Sequence, residues 1–264
     1  MSFDVEEFVR YQISNATVRA YPFPHFYVQP VFPEAFYQRM LETMPDTEAL
    51  TAMNEFGTVG IVDEKTGTLS KSKFIPRYLA DLSILDAEEA ATYGSDTWRS
   101  IAAWLLDKPF RDLIIGKFVA GIHERFGANV RLMTEVEARF VRDMTDYSIK
   151  PHTDMPTKLV SLLFYLPFDE SMRALGTSVF VPKDPTFKCD GKTRHPFELF
   201  KKVMTAGFSP NSLFGFLKTD QAFHGVEVIE EKAVERNLLL YNIYVQKVVA
   251  QAPAPSAVPA DPSE

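Results

Sequence analysis

The sequence predicts a mainly β protein with a layer of helices at its N-terminal end. Two observations predict it. The hydrophobic period changes from helical to alternating near Gly127, and at least six strand-like segments lie beyond that point. A third observation agrees: 13% of the residues are aromatic and 22 are Phe, which suits a sheet-rich interior.

Each element follows from local pattern. Val5, Phe8, Val9 and Ile13 stand at near-helical spacing and predict a helix over 4–19. The stretch YPFPHFYVQPVF has prolines at 22, 24 and 30 and reads as an extended edge segment. PEAFYQRMLETMP restarts a helix with Pro33 in its first turn. From about 74 to 126 the chain reads as mostly helical. Ser95 caps SDTWRSIAAWLLD, and FRDLIIGKFVAGIHERFG stops at Gly127. Beyond it, Glu135, Glu137 and Arg139 alternate with Val136, Ala138 and Phe140, as in a half-buried strand. Further strands are predicted at 158–167, 176–182, 212–218, 221–229 and 236–247. The longest gap, 183–211, includes a predicted short helix at 197–204 and has the length of a lid or binding loop. This many strands hide their edges best in a closed or sandwiched architecture.

At 264 residues and 46% hydrophobic content, the chain can build one large core. The expectation is a single domain over 1–249, with a helical layer over about 1–127 and a strand core over about 128–249. The Pro- and Ala-rich segment from 250 to 264 reads as a disordered tail. A net charge of −7 without a dense basic block argues against nucleic acid as a partner. The one cysteine, Cys189, excludes a disulfide within the chain and fits a reducing cytoplasm. MSFDVEEFVRYQ places acids where a signal peptide has an apolar run, and no uncharged apolar run approaches the ~18 residues of a membrane span. A cytoplasmic protein without a membrane partner is expected.

The segment YSIKPHTDMPTKLVSLLFYLPFD, 147–169, carries the chemistry. His152 and Asp154 are two apart, so on a strand both side chains face one side. Together they offer two ligands to a divalent metal. Of the five histidines, His224 in DQAFHGVEV stands before a Val-rich strand and supplies a third. Two imidazoles and one carboxylate on one face of an ion leave adjacent positions open, as in non-haem Fe(II) oxygenases. Arg236 follows His224 by twelve residues and begins the apolar run NLLLYNIYV. A guanidinium there needs a partner, and a carboxylate fits its planar fork. A dicarboxylate that met the metal at one end and Arg236 at the other would leave the site neutral.

These residues resemble the 2-oxoglutarate- and Fe(II)-dependent dioxygenases of the prolyl-4-hydroxylase-like branch. The resemblance rests on HTD at 152–154, HGV at 224–226 and Arg236, with LLFYLPFD, GTSVFVP, SLFGFL and the opening YPFPHFYVQPVFPEAFYQRMLETMP in support. It implies a double-stranded β-helix, or jelly roll, with supporting helices. It implies Fe(II) held by His152, Asp154 and His224, and 2-oxoglutarate held at its far carboxylate by Arg236 and Tyr165, with Tyr147 nearby. Where members often carry a hydroxylated residue four positions after the arginine, this chain has Leu240. With O2, the implied reaction hydroxylates a C–H bond of a small molecule or carrier-borne residue and releases succinate and CO2. Arg142, on the strand that enters the motif, is a candidate substrate contact.

Plainer readings stand beside these. Arg236 can pair with Glu230, Glu231 or Glu235 at the surface, and Tyr165 can be a core tyrosine. Cys189 and His195, two possible ligands six apart, do not by themselves make a site. His25 reads as structural. A cupin-like metal protein that does not use 2-oxoglutarate, or a non-catalytic jelly-roll module, remains the alternative.

Overall fold

The computed structural model describes residues 4–53, 61–62, 69–70, 75–85, 95–189, 191 and 193–250. The expected tail lies outside these residues except for Ala250, which ends the last strand. Helices α1 (Val5–Asn15) and α2 (Glu34–Glu42) flank β1 (His25–Val28). Short strands β2 (Thr51–Ala52), β3 (Ile61–Val62) and β4 (Leu69–Ser70) precede β5 (Arg77–Asp81). Helices α3 (Asp96–Leu105), α4 (Lys108–Lys117) and α5 (Val119–Phe126) lead to β6 (Val130–Met144), β7 (Ile149–His152), β8 (Lys158–Tyr165) and β9 (Thr177–Pro182). The chain closes with β10 (Phe200–Ala206), β11 (Ser212–Leu217), β12 (His224–Val226) and β13 (Glu235–Ala250).

The local reasons are those visible in the sequence. Asp4 caps α1 by accepting from Glu7 N, and Ser95 caps α3 by accepting from Trp98 N. Gly127 ends α5 at φ 88°, a backbone conformation that a side chain disfavours.

Beside the short β3–β4 pair, two antiparallel sheets form the body of the fold. The larger has the order β1-β11-β8-β13-β6-β5-β2, and the smaller has the order β10-β9-β12-β7. From β6 to β13 the chain contributes four strands to each sheet. Side chains of β8 show why most of that strand is apolar: Leu162 and Phe164 pack toward the helices, while Tyr165 packs toward the smaller sheet. One core cluster joins the helices to the outer face of the large sheet, with Trp98, Ile101, Leu105 and Phe110 against Phe140, Phe164 and Tyr241. A second fills the space between the sheets, where Val179 and Ala206 meet Val141, Tyr165, Phe214 and Leu238. Strand alternation therefore sorts most large-sheet residues into a helix-facing or a sheet-facing set, and a register shift against β13 breaks the alternation at Lys158–Val160.

Three expectations are corrected. Residues 77–81 form a strand, not helix, because the free edge of β6 pairs with them from Arg77↔Asp143 to Asp81↔Arg139. Among the described residues of the long gap only Phe197–Leu199 is helical, as a 3-10 turn, and Phe200–Ala206 is a strand on the edge of β9. An available sheet edge overrides the weak helical spacing there. The strand expected at 221–229 is confined to His224–Val226.

The helices fix the large sheet through few large side chains. Trp98 is buried, stacks edge-on to Phe140 with centroids 5.4 Å apart, and donates Nε1–H to Thr43 O at 2.6 Å. Trp98→Ala is expected to cost about 3–5 kcal/mol in chemical denaturation. A loss below ~1 kcal/mol would mean that the helical layer is not docked as described.

Candidate metal centre

β7 and β12 pair antiparallel with His152 opposite His224. That register sets the two imidazole centroids 4.5 Å apart. Asp154 follows β7 by two residues and faces the same way, with Oδ1 4.0 Å from His224 Nε2. One ligand atom from each of His152, Asp154 and His224 lies within 4.8 Å of the others, so the group can hold a metal ion. Phe216 of β11 closes one side, its ring 4.5 Å from that of His224.

Both rings are set in the same way. His152 Nδ1 lies 3.0 Å from Lys150 O, and His224 Nδ1 lies 3.0 Å from Ala222 O. A carbonyl only accepts, so each Nδ1 carries the proton and each Nε2 presents a lone pair. Burial, with the neighbouring His224 second, pushes the His152 pKa down to about 3 against the pull of Asp154. Burial also lowers that of His224. Asp154 is buried, which by itself favours its neutral form, yet the Lys158 ammonium and the two imidazoles outweigh this and hold its carboxyl well below the usual range. At neutral pH the donor set is therefore two neutral imidazoles and one carboxylate, all in ligating form.

The segment from His152 to Asp154 is locked. Thr153 is buried and donates its hydroxyl to Cys189 O at 3.1 Å. His195 N donates to Pro151 O at 2.8 Å. Gly191, at φ 84°, lies so close that a Cβ there would meet Asp154 O at 2.0 Å. Cys189 Sγ and His195 Nε2 come within 3.2 Å, but among the described residues no third ligand joins them.

Arg236 is fully buried and faces the inter-sheet space from β13. Its partner within the chain is none of the three glutamates of the plainer reading. Nη1 donates to Asp143 Oδ2 at 2.6 Å, and Nε donates to Leu175 O at 2.6 Å. Asp143 also accepts from Arg77, Nε to Oδ1 at 2.5 Å and Nη2 to Oδ2 at 3.0 Å. Two guanidiniums thus share one carboxylate, and Arg236 Nη2 is buried with no hydrogen-bond partner among the described residues. The cluster has one positive charge in surplus and one donor to spare. An anion with a free carboxylate satisfies both.

Tyr165 and Tyr147 border this cluster. The Arg236 guanidinium carbon is 5.7 Å from the Tyr165 ring centroid, and that of Arg77 is 4.2 Å from the Tyr147 ring. Tyr165 donates its hydroxyl to Thr177 Oγ1 at 2.7 Å. Burial pushes both phenols up to about 12, so both remain donors at neutral pH.

Arg142 is not brought to the site. Asp143 faces inward, so its neighbour Arg142 faces the helices, where it donates to Asn237 Oδ1 and Thr47 Oγ1, both at 2.8 Å. It lines a cleft of about 290 Å³ with Thr47, Glu48 and Phe168, on the far side of the sheet. Sequence reasoning also missed Arg77, Lys158, Ser161 and the role of Asp143. Ser161 had a signal: it is the one small polar residue in the apolar strand KLVSLLFY. His25 is buried as expected, with Nδ1 2.8 Å from Phe23 O, but its Nε2 has no partner among the described residues.

Among the described residues no helix is long and apolar enough to cross a membrane. No family model and no curated protein matches the chain. Among solved structures it is similar to the epimerase SnoN in complex with Fe3+, alpha ketoglutarate and nogalamycin RO, at TM-score 0.46 and 13% identity over 98% of this chain and 91% of that one. It is similar to a Pseudomonas putida prolyl-4-hydroxylase, at TM-score 0.46 and 13% identity over 90% and 100%. HygX from Streptomyces hygroscopicus, with nickel and 2-oxoglutarate bound, matches at TM-score 0.43 and 12% identity over 84% and 83%.

The lowered His152 pKa has a signed consequence for the metal-free protein. Between about pH 6.5 and 3 the unfolded chain binds a proton on this imidazole that the folded chain does not. Stability should therefore fall as pH drops through that window, and the Asp154 contribution should be lost below it. Melting temperature against pH should show a shallower acid slope for His152→Gln than for the wild type. Equal slopes would mean that the imidazole is not held neutral by its surroundings.

Proposed function

We propose that this chain is an Fe(II)- and 2-oxoglutarate-dependent oxygenase of the prolyl-4-hydroxylase-like kind, acting in the cytoplasm on a small molecule or carrier-borne residue. The observation that carries the reading is the presence of two features between the same two sheets, the first largely and the second wholly shielded from solvent at its core. One is the His152–Asp154–His224 group with its lone pairs turned inward. The other is the Arg77–Asp143–Arg236 cluster with its spare donor. The division of β6–β13 into β6, β8, β11 and β13 in one sheet and β7, β9, β10 and β12 in the other supports a double-stranded β-helix core, within one domain over 1–249.

In this reading His152, Asp154 and His224 hold Fe(II). The far carboxylate of 2-oxoglutarate meets Arg236 Nη2 and supplies the one negative charge that the Arg–Asp–Arg cluster lacks. Asp143 and Arg77 aim the guanidinium, Tyr165 and Phe208 wall it, and Tyr147 covers Arg77. Phe216 beside His224 keeps bulk water from one side of the centre. When bound, ferrous iron couples oxidation of a substrate C–H bond by O2 to decarboxylation of 2-oxoglutarate, giving the hydroxylated product, succinate and CO2. A cupin-like protein without 2-oxoglutarate, or a non-catalytic module, gives the buried Nη2 of Arg236 no use, which argues against both.

The test is succinate formation from 2-oxoglutarate. It should require added Fe(II), disappear in Asp154→Ala with the fold intact by circular dichroism, and need at least about tenfold more 2-oxoglutarate in Arg236→Lys, which keeps the charge but loses the fork. Iron-independent turnover, or an unchanged requirement in Arg236→Lys, would contradict the reading.

A further inference from the structure

Both oxygens of Asp154 already have donors. Lys158 Nζ donates to Oδ1 at 3.0 Å, and Ser161 Oγ donates to Oδ2 at 2.8 Å. Both donors sit on β8, in the sheet opposite β7, so the carboxylate is gripped from across the sandwich. The Ser161 hydroxyl has one proton and a second acceptor in reach, Asn242 Oδ1 at 3.2 Å. The charged carboxylate is the nearer and stronger acceptor. Asn242 is itself held by donating Nδ2–H to Glu137 Oε1 at 3.1 Å.

The two contacts differ in what they do to a metal. Oδ1 is the oxygen within 4.0 Å of His224 Nε2, so it is the one turned toward the centre. Oδ2 is the oxygen that Ser161 holds. A hydroxyl on Oδ2 is compatible with ligation through Oδ1 and fixes its direction. An ammonium on Oδ1 is not, because it places a positive charge where a divalent ion must come. Yet that ammonium has a purpose. Among the described residues Lys158 is the one lysine or arginine paired with this carboxylate, and an unpaired buried charge is costly. Lys158 is itself largely buried, at 14% side-chain exposure, and its charge is committed to this contact.

We propose that Ser161 and Lys158 act on the metal site in opposite senses. Ser161 is a positioning residue that pins Oδ2 and presents Oδ1 to the metal. Lys158 is a stand-in cation that occupies Oδ1 until a divalent ion displaces it. The inference rests on the metal-site reading of the preceding subsection. It makes the site stable without metal at the expense of affinity, so metal loading is an exchange of one cation for another.

The test is a Co(II) titration of the metal-free full-length chain, followed by visible absorption. Ser161→Ala should weaken binding about 10–100-fold, and Ser161→Thr should restore it. Lys158→Met should tighten binding about tenfold or more, and its metal-free form should melt lower while gaining more from Co(II). Should Lys158→Met fail to fold, Lys158→Gln removes the charge and keeps a neutral donor, with the same expected sign. Loss of affinity in the Lys158 variants, or unchanged affinity in Ser161→Ala, overturns the proposal. Asp154→Ala separates the two layers: if it binds Co(II) as the wild type does, the metal site itself is misassigned and the inference falls with it. If it loses Co(II) while the Ser161 and Lys158 variants behave as the wild type does, only the inference falls.

Discussion

The pairing of β7 with β12 is the constraint on which the site depends. With His224 opposite His152, two imidazoles face each other across one ladder, and Asp154 joins them from two residues on. A slip of one residue would turn His224 to the other face of the sheet and leave a lone H-x-D pair. The register is held from outside the ladder as well. The loop bearing Cys189, Gly191 and His195 clamps the backbone of 151–154, and the packing on Asp154 O leaves room for glycine alone. Backbone carbonyls two residues before each histidine then choose the tautomer, so the lone pairs point where the strands aim them.

The second theme is charge held in a dry place. Among the described residues two carboxylates are buried, Asp154 and Asp143, and each is met by positive charge from another strand. Asp154 has one ammonium and a hydroxyl, which leaves it balanced. Asp143 has two guanidiniums, which leaves the cluster one charge over. A buried surplus is expensive unless something arrives to complete it, so the unmatched end of Arg236 is where a ligand is called for and Asp143 is where the protein keeps the guanidinium in line. Removing either carboxylate would cost stability as well as chemistry, so binding measurements separate the two effects better than turnover does.

How much of this was legible depends on distance along the chain. The grouping of His152, Asp154 and His224 was, because His152 and Asp154 share a strand face by spacing alone and His224 opens a strand of its own. Arg236 was, as a lone charge at the head of an apolar run. Its partner was not: the nearby glutamates drew attention, whereas Asp143 lies 93 residues away and meets Arg236 only through the β6–β13 register. Arg77 was hidden because its segment reads as helix, and only the free edge of β6 makes it a strand. β10 was hidden for the same reason, since FKKVMTA carries no clear alternation and borrows its conformation from β9. Arg142 illustrates parity: once Asp143 faces inward, its neighbour faces the helices, and no local pattern reveals which of the two is inside.

The most direct measurement is a crystal structure of the full chain grown with Mn(II) and 2-oxoglutarate without oxygen, with the metal located by anomalous scattering. The account predicts one strong peak bounded by His152 Nε2, Asp154 Oδ1 and His224 Nε2, and a carboxylate within hydrogen-bond distance of Arg236 Nη2. A peak held by other residues, or an Arg236 that still faces only Asp143 and Leu175 with 2-oxoglutarate bound elsewhere, would contradict it.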